Sequence, residues 1–416
     1  MNKNLLLDFS PSVADEMEKL VSLISDDTMR WFARLYDPET GAFYFSNSGR
    51  DYEGFGPDLE STVQLLRCVA SYGMIDNYGG NLKDALPKDM IKKLVNFTKS
   101  CADPDGYFYH PQWGKEIPVE RRGRDLTWAT QIFDWFDVKS PYPTALDMLK
   151  DTSEDKKVES PTLPEYLKSK SEFIKYLEAL DFNNKSYHAG NTLNSQSPQI
   201  RAAGLTDVVI DFLNANQNPE NGLWHKDADY YGVSGLMKVA GFYNAAGRKL
   251  PNFERAIDSC VESALCDEKP DGLVYIYNPH SALASLKGCA EKLGDKESVK
   301  YVDDKYADNL IPLIRAMYDK LQVFRHPDSS FSTAPGRSVC KSMGVPVAIY
   351  MEPEGDVNGT SIAIAGCVDM LFENLGKTLK LHDHKDFAEF VSILNSQCPP
   401  TKKPVPEGRE SSPGRW

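Results

Sequence analysis

Apolar residues recur along this chain in blocks of helical length, and each block follows a turn and a polar stretch rich in aromatic rings. The clearest example is the stretch 218–248. Its turn, Asn218-Pro219-Glu220-Asn221-Gly222, combines the fixed φ of proline with a glycine that can adopt positive φ. A polar segment follows, and residues 231–246 are then apolar around most of the helical circumference. Because a helix that is apolar on every side is buried, the pattern predicts an inner helix here.

The same order of turn, aromatic segment, polar loop, buried helix and amphipathic helix returns along the chain. We predict inner helices at residues 58–72, 125–136, 197–204, 231–246, 280–293 and 360–367. Amphipathic outer helices are predicted at residues 11–35, 87–101, 165–180, 252–266 and 385–394. The third inner helix is placed at residue 197 because Pro198 is tolerated in the first turn and not in a helix interior. Residues 140–164 are rich in proline, serine and charge and are interpreted as a long excursion.

Arrays of two-helix units bury each other's apolar faces, and inner helices that are apolar all round favour a closed ring over an open solenoid. The turns resemble the inter-hairpin turns of the α/α-toroid (six-hairpin barrel) superfamily: Asp37-Pro38-Glu39-Thr40-Gly41, Asp103-Pro104-Asp105-Gly106, Asn218-Pro219-Glu220-Asn221-Gly222 and Pro270-Asp271-Gly272. The resemblance implies an all-α (α/α)6 toroid of six inner and six to seven outer helices, with short strand-like loop segments. It covers residues 1–396, expected to form one domain, and leaves residues 397–416 as a disordered tail because they are rich in Pro, Gly and charge.

The resemblance also implies that the loops before the inner helices meet at one end and line a funnel. Terpene cyclases of this architecture carry a DxDD motif, which this chain lacks, and no cysteine lies in the funnel loops for a prenyltransferase-type zinc site. The carbohydrate-active members, polysaccharide lyases, glycoside hydrolases and sugar epimerases, remain. No cofactor and no metal site are predicted.

The composition of the chain limits the kinds of binding partner that we expect. The net charge of −13 at pH 7 argues against nucleic acid or an anionic membrane surface. No stretch approaches the length of a membrane span, and residues 1–9 lack the features of a signal peptide. The eight cysteines are scattered without a CxxC pair, so reduced thiols and a cytoplasmic location are expected. The pattern makes no prediction of oligomeric state.

Planar rings and polar side chains on the funnel loops suit an oligosaccharide, because rings stack on sugar faces and polar groups bind hydroxyls. Three arginines on one loop favour an acidic sugar, although they could instead pair with Glu116, Glu120 and Asp125. The predicted substrate-binding residues are Tyr52, Asp58, His110, Trp113, Arg121, Arg122, Arg124, Trp128, Trp224, Tyr277, His280 and Asn358.

A lyase that works by β-elimination needs a base, an acid and a group that neutralises the substrate carboxylate. Histidine, tyrosine, asparagine and arginine suit these roles. The predicted catalytic residues are His188, Asn191, His225, Asp227, Asp229, Tyr230 and Tyr231.

Two alternatives stay open. A glycoside hydrolase would use two carboxylates flanking the bond to be cleaved, with candidates Asp58, Glu60, Asp125, Asp227, Asp229 and Asp356. Asp58 and Asp125 head helices and could instead serve as N-caps. The other alternative is a toroid that binds carbohydrate without catalysis.

Overall fold

The computed structural model describes residues 9–149 and 163–410. In chain order its α-helices are α1 (Pro11–Val21), α2 (Asp26–Arg34), α3 (Asn47–Asp51), α4 (Leu59–Ser71), α5 (Leu82–Ala85), α6 (Lys88–Ser100), α7 (Val119–Trp135), α8 (Ala145–Met148), α9 (Lys170–Glu178), α10 (Phe182–Ser195), α11 (Ser197–Ala202), α12 (Thr206–Asn216), α13 (Tyr230–Ala246), α14 (Phe253–Leu265), α15 (Val274–Lys292), α16 (Lys296–Asp308), α17 (Leu310–Leu321), α18 (Val357–Ser361), α19 (Met370–Asn374) and α20 (His384–Ser396). A π-helical stretch, Ile362–Asp369, joins α18 to α19. The strands β1 (Lys341–Ser342) and β2 (Val345–Pro346) form a short antiparallel hairpin.

The inner helices close into a ring. Around it, α4 packs against α7, α7 against α10, α10 against α13, and α13 against α15. Helix α15 then packs against the π-helical stretch, and α18 returns to α4. The sixth inner helix is therefore the continuous run from α18 to α19. This circular order confirms the predicted all-α toroid with six inner helices in the described part of the chain.

Outer helices cover the ring and complete its hydrophobic core. Helix α6 packs on α7, α12 on α13 and α14 on α15, while α1 contacts α17 and α2 contacts α20. One contiguous cluster of buried apolar side chains joins these layers. The strand-like turn segments are also present, as the isolated bridges Tyr36–Phe43, Ala102–Phe108 and Arg325–Phe331 show.

The inner helices begin at one end of the ring, which we call the mouth. The backbone around Asp58 pairs with Phe43, and Ser46 pairs with Asp356. The side chains of Asp58, Asp229 and Asp356 each accept a hydrogen bond from a backbone N–H in the first turn of α4, α13 and α18. Asp-initiated helices are stable because the carboxylate satisfies an unpaired donor and opposes the positive end of the helix dipole.

Two inner helices differ from their predicted limits. Helix α10 occupies residues 182–195, ahead of the predicted start at 197, and contains the Tyr187–Asn191 segment interpreted as a loop. Its many asparagine and serine residues conceal the helical period, and Lys185 is non-helical within it. Helix α15 begins at Val274, six residues before the predicted start at 280, and includes Pro279.

Several smaller differences concern the remaining elements. Helix α7 begins at Val119, six residues before the predicted start, and the predicted helix 11–35 is divided into α1 and α2. Helices α12, α16 and α17 occupy stretches where no helix is predicted. Most of the predicted excursion 140–164 lies outside the described residues.

The C-terminal segment contacts the toroid in its described part. Lys403 exchanges backbone hydrogen bonds with Asp51 and Glu53, and Lys402 donates to the carbonyl of Gly49. Arg409 pairs with Glu352. The composition that predicts disorder from residue 397 does not anticipate these contacts. Across the described ranges, no helix combines the length and apolarity needed to cross a bilayer.

Turn glycines set the spacing between neighbouring hairpins. Gly222 has φ +70°, and a Cβ atom there would overlap the backbone of Ala256 in α14. Gly41 and Gly106 are similar: a Cβ at either would lie 2.7 Å from a backbone nitrogen, that of Leu94 or Ala145. These turns therefore require glycine for conformation and for close backbone approach.

We expect Gly222→Ala to lower the free energy of unfolding by about 2–4 kcal/mol, because strain and overlap act together. Gly247 is the matched control, since its φ is +62° but no atom lies within 4 Å of its would-be Cβ. Gly247→Ala should cost only about 1 kcal/mol. Denaturant unfolding of both variants measures the difference, and equal losses would show that the contact with α14 is unimportant.

Candidate functional site

A buried charge cluster fixes the start of α4 against the start of α7. Arg121 is fully buried and contacts three carboxylates: Asp58 at 3.2 Å, Glu60 at 3.0 Å and Asp125 at 2.9 Å. Burial raises the pKa of Asp125 to about 7 even though Arg121 opposes the shift. Burial also opposes ionisation of Glu60, but Arg124 and Arg121 hold its pKa below the usual value.

Arg124 lies one helical turn beyond Arg121 and turns toward the centre of the ring. Its guanidinium donates to Glu60 at 2.6 Å and to the side-chain oxygen of Asn191 at 3.2 Å. The side chain keeps 17% of its surface exposed, in contrast to Arg121. One face of α7 therefore supplies both an internal ion pair and a cation that faces the centre.

A central cavity of about 570 Å³ runs through the ring. Met343 and Asn358 line it at the mouth, and Ser71, Tyr72 and Met370 line it at the opposite end. Four basic side chains face it, and none of its described lining residues is acidic. The basic residues are Arg67, Arg124, Arg201 and Lys238. Arg67 and Arg201 are exposed, so this end of the cavity is open to solvent.

Aromatic rings complete the wall of the central cavity. Trp128, Tyr187 and Tyr277 line it, and the guanidinium carbon of Arg67 lies 4.8 Å from the centre of the Trp128 ring. Neutral hydrogen-bonding groups, including Gln64, lie between the rings. Positive charge, planar rings and neutral polar groups together suit an anionic ligand with several hydroxyls.

Lys238 is the most deeply buried basic group of the central cavity. It keeps 9% of its surface exposed, and its ammonium nitrogen lies 5.5 Å from the centre of the Tyr187 ring. Burial, reinforced by Arg124, lowers the pKa of Lys238 to about 7. Within the described residues this amine has no hydrogen bond and no ion pair.

Two further spaces lie at the mouth. The outer compartment, about 370 Å³, is lined by Tyr187, His188, Asn191, Tyr275 and the β1–β2 hairpin, among others. A side groove is lined by Asn184, Lys185, Tyr187, His188, His225, Asp229 and Tyr231. Tyr187 lines all three spaces, so it marks the point where they meet.

The β1–β2 hairpin lies over the mouth. Ser342 donates to Glu60 at 2.9 Å, and Met343 accepts a hydrogen bond from the side-chain amide of Asn191 at 3.6 Å. Gly344 packs on Pro118, where a Cβ would lie 2.7 Å from the ring. Met343 lines both the outer compartment and the central cavity and so separates them.

Several predicted site residues are indeed close together. His188, His225, Asp229 and Tyr231 line the side groove, and Asn191 lies with His188 in the outer compartment. The predicted substrate-binding residues that line the central cavity are Arg124, Trp128, Tyr277 and Asn358.

Asp227 and Asp229 have different environments. Asp229 is the N-cap of α13 and accepts from the backbone N–H of Gly232 at 2.8 Å, a role that the sequence analysis considers only for Asp58 and Asp125. Asp227 is exposed. His225, Asp227 and Asp229 each have one possible ligand atom, and these three atoms lie within 4.8 Å of one another. This spacing would allow all three residues to bind one metal ion. Because Asp229 already caps a helix and Asp227 is solvated, we assign no metal there.

Other predicted residues are structural and lie away from the cavities. Arg121 and Asp58 belong to the internal ion pair, which corrects their assignment to substrate binding. His280 is buried and bonds the Tyr306 hydroxyl at 2.7 Å, and burial lowers its pKa to about 4. Trp224 is buried and donates to the carbonyl of Leu213.

A second group supports loops and helix ends. His110 is buried with its ring against Trp113 and its Nε2 atom 3.0 Å from the Pro57 carbonyl, and the indole of Trp113 donates to Pro346. Arg122 stacks on Tyr107. The remaining three contacts are between Tyr230 and the Glu268 carbonyl, between Tyr52 and Lys403, and between Tyr231 and Tyr275. Tyr231 also lines the side groove, and Tyr275 lines the outer compartment.

The residues that sequence analysis missed are Lys238, Arg67 and Arg201. Lys238 is the single charged side chain in the otherwise apolar and small stretch from Val233 to Tyr243 of α13. A lone lysine on a buried helix needs a polar space to face, and this signal was available in the sequence.

Comparison with known proteins adds little. No family model matches the chain, and no curated protein matches it. Among solved structures, a type II terpene cyclase from Scytonema in complex with the product merosterolic acid A is 13% identical, with a TM-score of 0.42. The match covers 86% of this chain and 97% of that one. A similarity this low supports no inference about function.

We expect Arg121→Met to lower the free energy of unfolding by about 3–5 kcal/mol, because three buried carboxylates lose their shared cation. Arg122→Met on the same helix is the control and should cost about 1 kcal/mol or less. Chemical unfolding of both variants provides the test. Equal stability of Arg121→Met and the wild type would mean that the cluster does not hold α4 to α7.

We expect Lys238→Met to stabilise the protein by about 1–3 kcal/mol at pH 7, because it removes a buried, unpaired amine. The folded pKa of about 7 lies below the usual 10.5. Between these values the unfolded chain binds a proton that the folded chain does not, so the cost of Lys238 grows as the pH falls from 10.5 to 7 and is absent above 10.5. The gain should follow that window in thermal melts. Lys300→Met, at an exposed lysine, should show no such pH dependence.

Proposed function

We propose that this protein is an enzyme that cleaves an acidic oligosaccharide by lyase-type β-elimination. The observation that carries the proposal is the central cavity, whose charged lining residues are all basic in a chain of net charge −13. An acidic protein that concentrates cations around an internal space favours an anionic ligand there. The aromatic rings and neutral polar groups beside those cations are typical of sugar recognition.

The mouth supplies groups suited to elimination. In this mechanism a base removes the proton α to the uronate carboxylate, and the electron pair forms a carbon–carbon double bond as the glycosidic oxygen leaves and is protonated. His188 is the proposed base, and Asn191 lies three residues later on the same helix, linked to Arg124. This link supports a role for Arg124 and Asn191 in neutralising the carboxylate while His188 takes the proton.

The side groove would provide the acid. Tyr231 is exposed and lies beside Tyr275, with ring centres 5.3 Å apart. Nδ1 of His225 lies 3.3 Å from the backbone nitrogen of Asp227, which positions the ring, and 3.6 Å from the Asp229 carboxylate. We propose that Tyr231 or His225 protonates the departing oxygen. Asp227 and Tyr230 keep only supporting roles in this proposal, because one is solvated and the other bonds a backbone carbonyl.

A glycoside hydrolase is the second candidate, favoured by one observation. Glu120 and Asp271 both line the outer compartment, so two carboxylates face one space. Hydrolysis and elimination give different products, since only elimination creates an unsaturated uronate that absorbs ultraviolet light. A toroid that binds the sugar without cleaving it would give neither product.

The test is a screen of purified protein against uronide-containing and neutral oligosaccharides, read by ultraviolet absorbance and by new reducing ends. We expect an unsaturated product from a uronide, and we expect His188→Ala to lower turnover by about 10²–10⁴-fold. His384→Ala, at an exposed histidine at the start of α20, should leave turnover unchanged.

Three results would overturn the lyase proposal. Reducing ends without ultraviolet absorbance would show hydrolysis. Unchanged turnover and affinity in both His188→Ala and His225→Ala would remove the proposed base and acid. Tight binding of a uronide with no product of either kind would identify a binding toroid.

A further inference from the structure

The amine of Lys238 is placed like a nucleophile and not like a structural cation. Its side chain is nine-tenths buried, yet its end faces the central cavity. Other partly buried lysines of the described chain have polar partners: Lys287 pairs with Asp303 at 2.6 Å, and Lys320 donates to the Ala264 carbonyl at 2.8 Å. Lys238 faces the Tyr187 ring at 5.5 Å and has no carboxylate in contact among the described residues. A buried ammonium without a counter-charge is costly, so its retention calls for a functional explanation.

The packing around Lys238 makes room for its stem. Helices α10 and α13 approach closely at Gly190 and Gly235. A Cβ at Gly190 would lie 2.9 Å from the Cβ of Lys238, and one at Gly235 would overlap Ser186. Both glycines have helical φ, so close approach and not conformation requires them. The aliphatic part of the Lys238 side chain therefore packs between α10 and α13, and this packing fixes the position of the amine.

The surroundings of Lys238 favour its neutral form and an anionic partner. Burial and the nearby Arg124 lower the pKa of Lys238, and the carboxylate of Glu60 opposes them more weakly. A neutral amine is the form that attacks a carbonyl carbon. The fixed cation that keeps the amine neutral would also bind a carboxylate, which places the carbonyl of a carboxylated compound beside the nucleophile.

We propose that Lys238 captures the carbonyl group of a small anionic carbonyl compound, such as a 2-oxo acid or the open-chain aldehyde of a uronic acid, as an imine. The amine nitrogen attacks the carbonyl carbon to give a carbinolamine, which loses the oxygen as water to leave the C=N bond. No oxidant or reductant is consumed. The two hydrogens of the amine leave with that oxygen, and we assign the transfer of one of them to Tyr187, whose side chain lines the same cavity.

This inference rests on the proposed preference of the basic central cavity for an anionic ligand, but not on elimination chemistry. The two proposals use different groups: cleavage depends on His188 at the mouth, and imine formation depends on Lys238 inside the ring. They can therefore succeed or fail separately.

The experiment incubates the full chain with pyruvate and sodium cyanoborohydride, followed by intact-mass and peptide-mapping mass spectrometry. We expect one adduct per chain, with the mass of pyruvate less one oxygen atom, mapped to Lys238. Acetone, a neutral carbonyl compound, should label at least 10-fold more slowly at the same concentration. The rate of labelling should rise through pH 7 and level off, whereas exposed lysines should react faster up to their usual pKa near 10.5.

Two matched variants distinguish imine formation at Lys238 from an effect of its positive charge. Lys238→Arg keeps a cation in the cavity but should abolish the adduct, and Lys300→Arg at an exposed position should leave the adduct unchanged. The position of the adduct in the wild-type chain decides the question even if a variant folds poorly. Labelling spread over surface lysines, an adduct that persists in Lys238→Arg, or equal rates with acetone would each overturn the proposal. Uronide cleavage without an adduct would reject the imine and leave the lyase proposal intact; an adduct without cleavage would do the reverse.

Discussion

The ion pairs of Arg121 hold the site together, because they join the first two inner helices where the cavity begins. With Asp58, Glu60 and Asp125 as partners, Arg121 is fully enclosed and contributes no charge to the centre. Breaking such a cluster by removing one partner is costly, since the remaining charges stay buried. The same cluster positions Glu60, and Glu60 in turn directs Arg124 inward. The orientation of the cavity's inner cation therefore depends on a structural interaction outside the cavity.

The ring explains how an acidic protein can contain a basic centre. Most of its acidic residues lie outside, where water screens them, whereas the cavity lining carries Arg124 and Lys238 with little screening. Charge at these positions is destabilising for the empty fold, since burial lowers the pKa of Lys238. Sites that bind charged ligands commonly sacrifice stability in this way, and the ligand offsets the cost when it binds.

The fold was largely predictable because glycine-containing turns and apolar helical stretches recur in the same order along the chain. Helix α13 shows the pattern at its clearest, and its glycine turn at Gly222 is needed on steric grounds. Helix α10 was not delimited because one of its faces borders polar spaces, so asparagine and serine interrupt the apolar period.

The residues of the candidate site were also predictable only in part. His188, His225 and Tyr231 could be grouped from their place in successive repeats, whereas Arg121 and Arg124 look equivalent in sequence and differ only in what packs against them. Lys238, as the single charged side chain of a buried helix stretch, could have been singled out from the sequence, but the sequence does not show which space it faces or what lines that space.

The proposed function requires that the central cavity selects a negatively charged ligand. Calorimetric affinities for a uronide oligosaccharide and for the same oligosaccharide with its carboxylates reduced to alcohols test this most directly. We expect about 10-fold tighter binding of the acid, equal to about 1.4 kcal/mol, and loss of that preference in Arg124→Gln. Equal affinities for the acidic and the reduced oligosaccharide in the wild-type protein would contradict it.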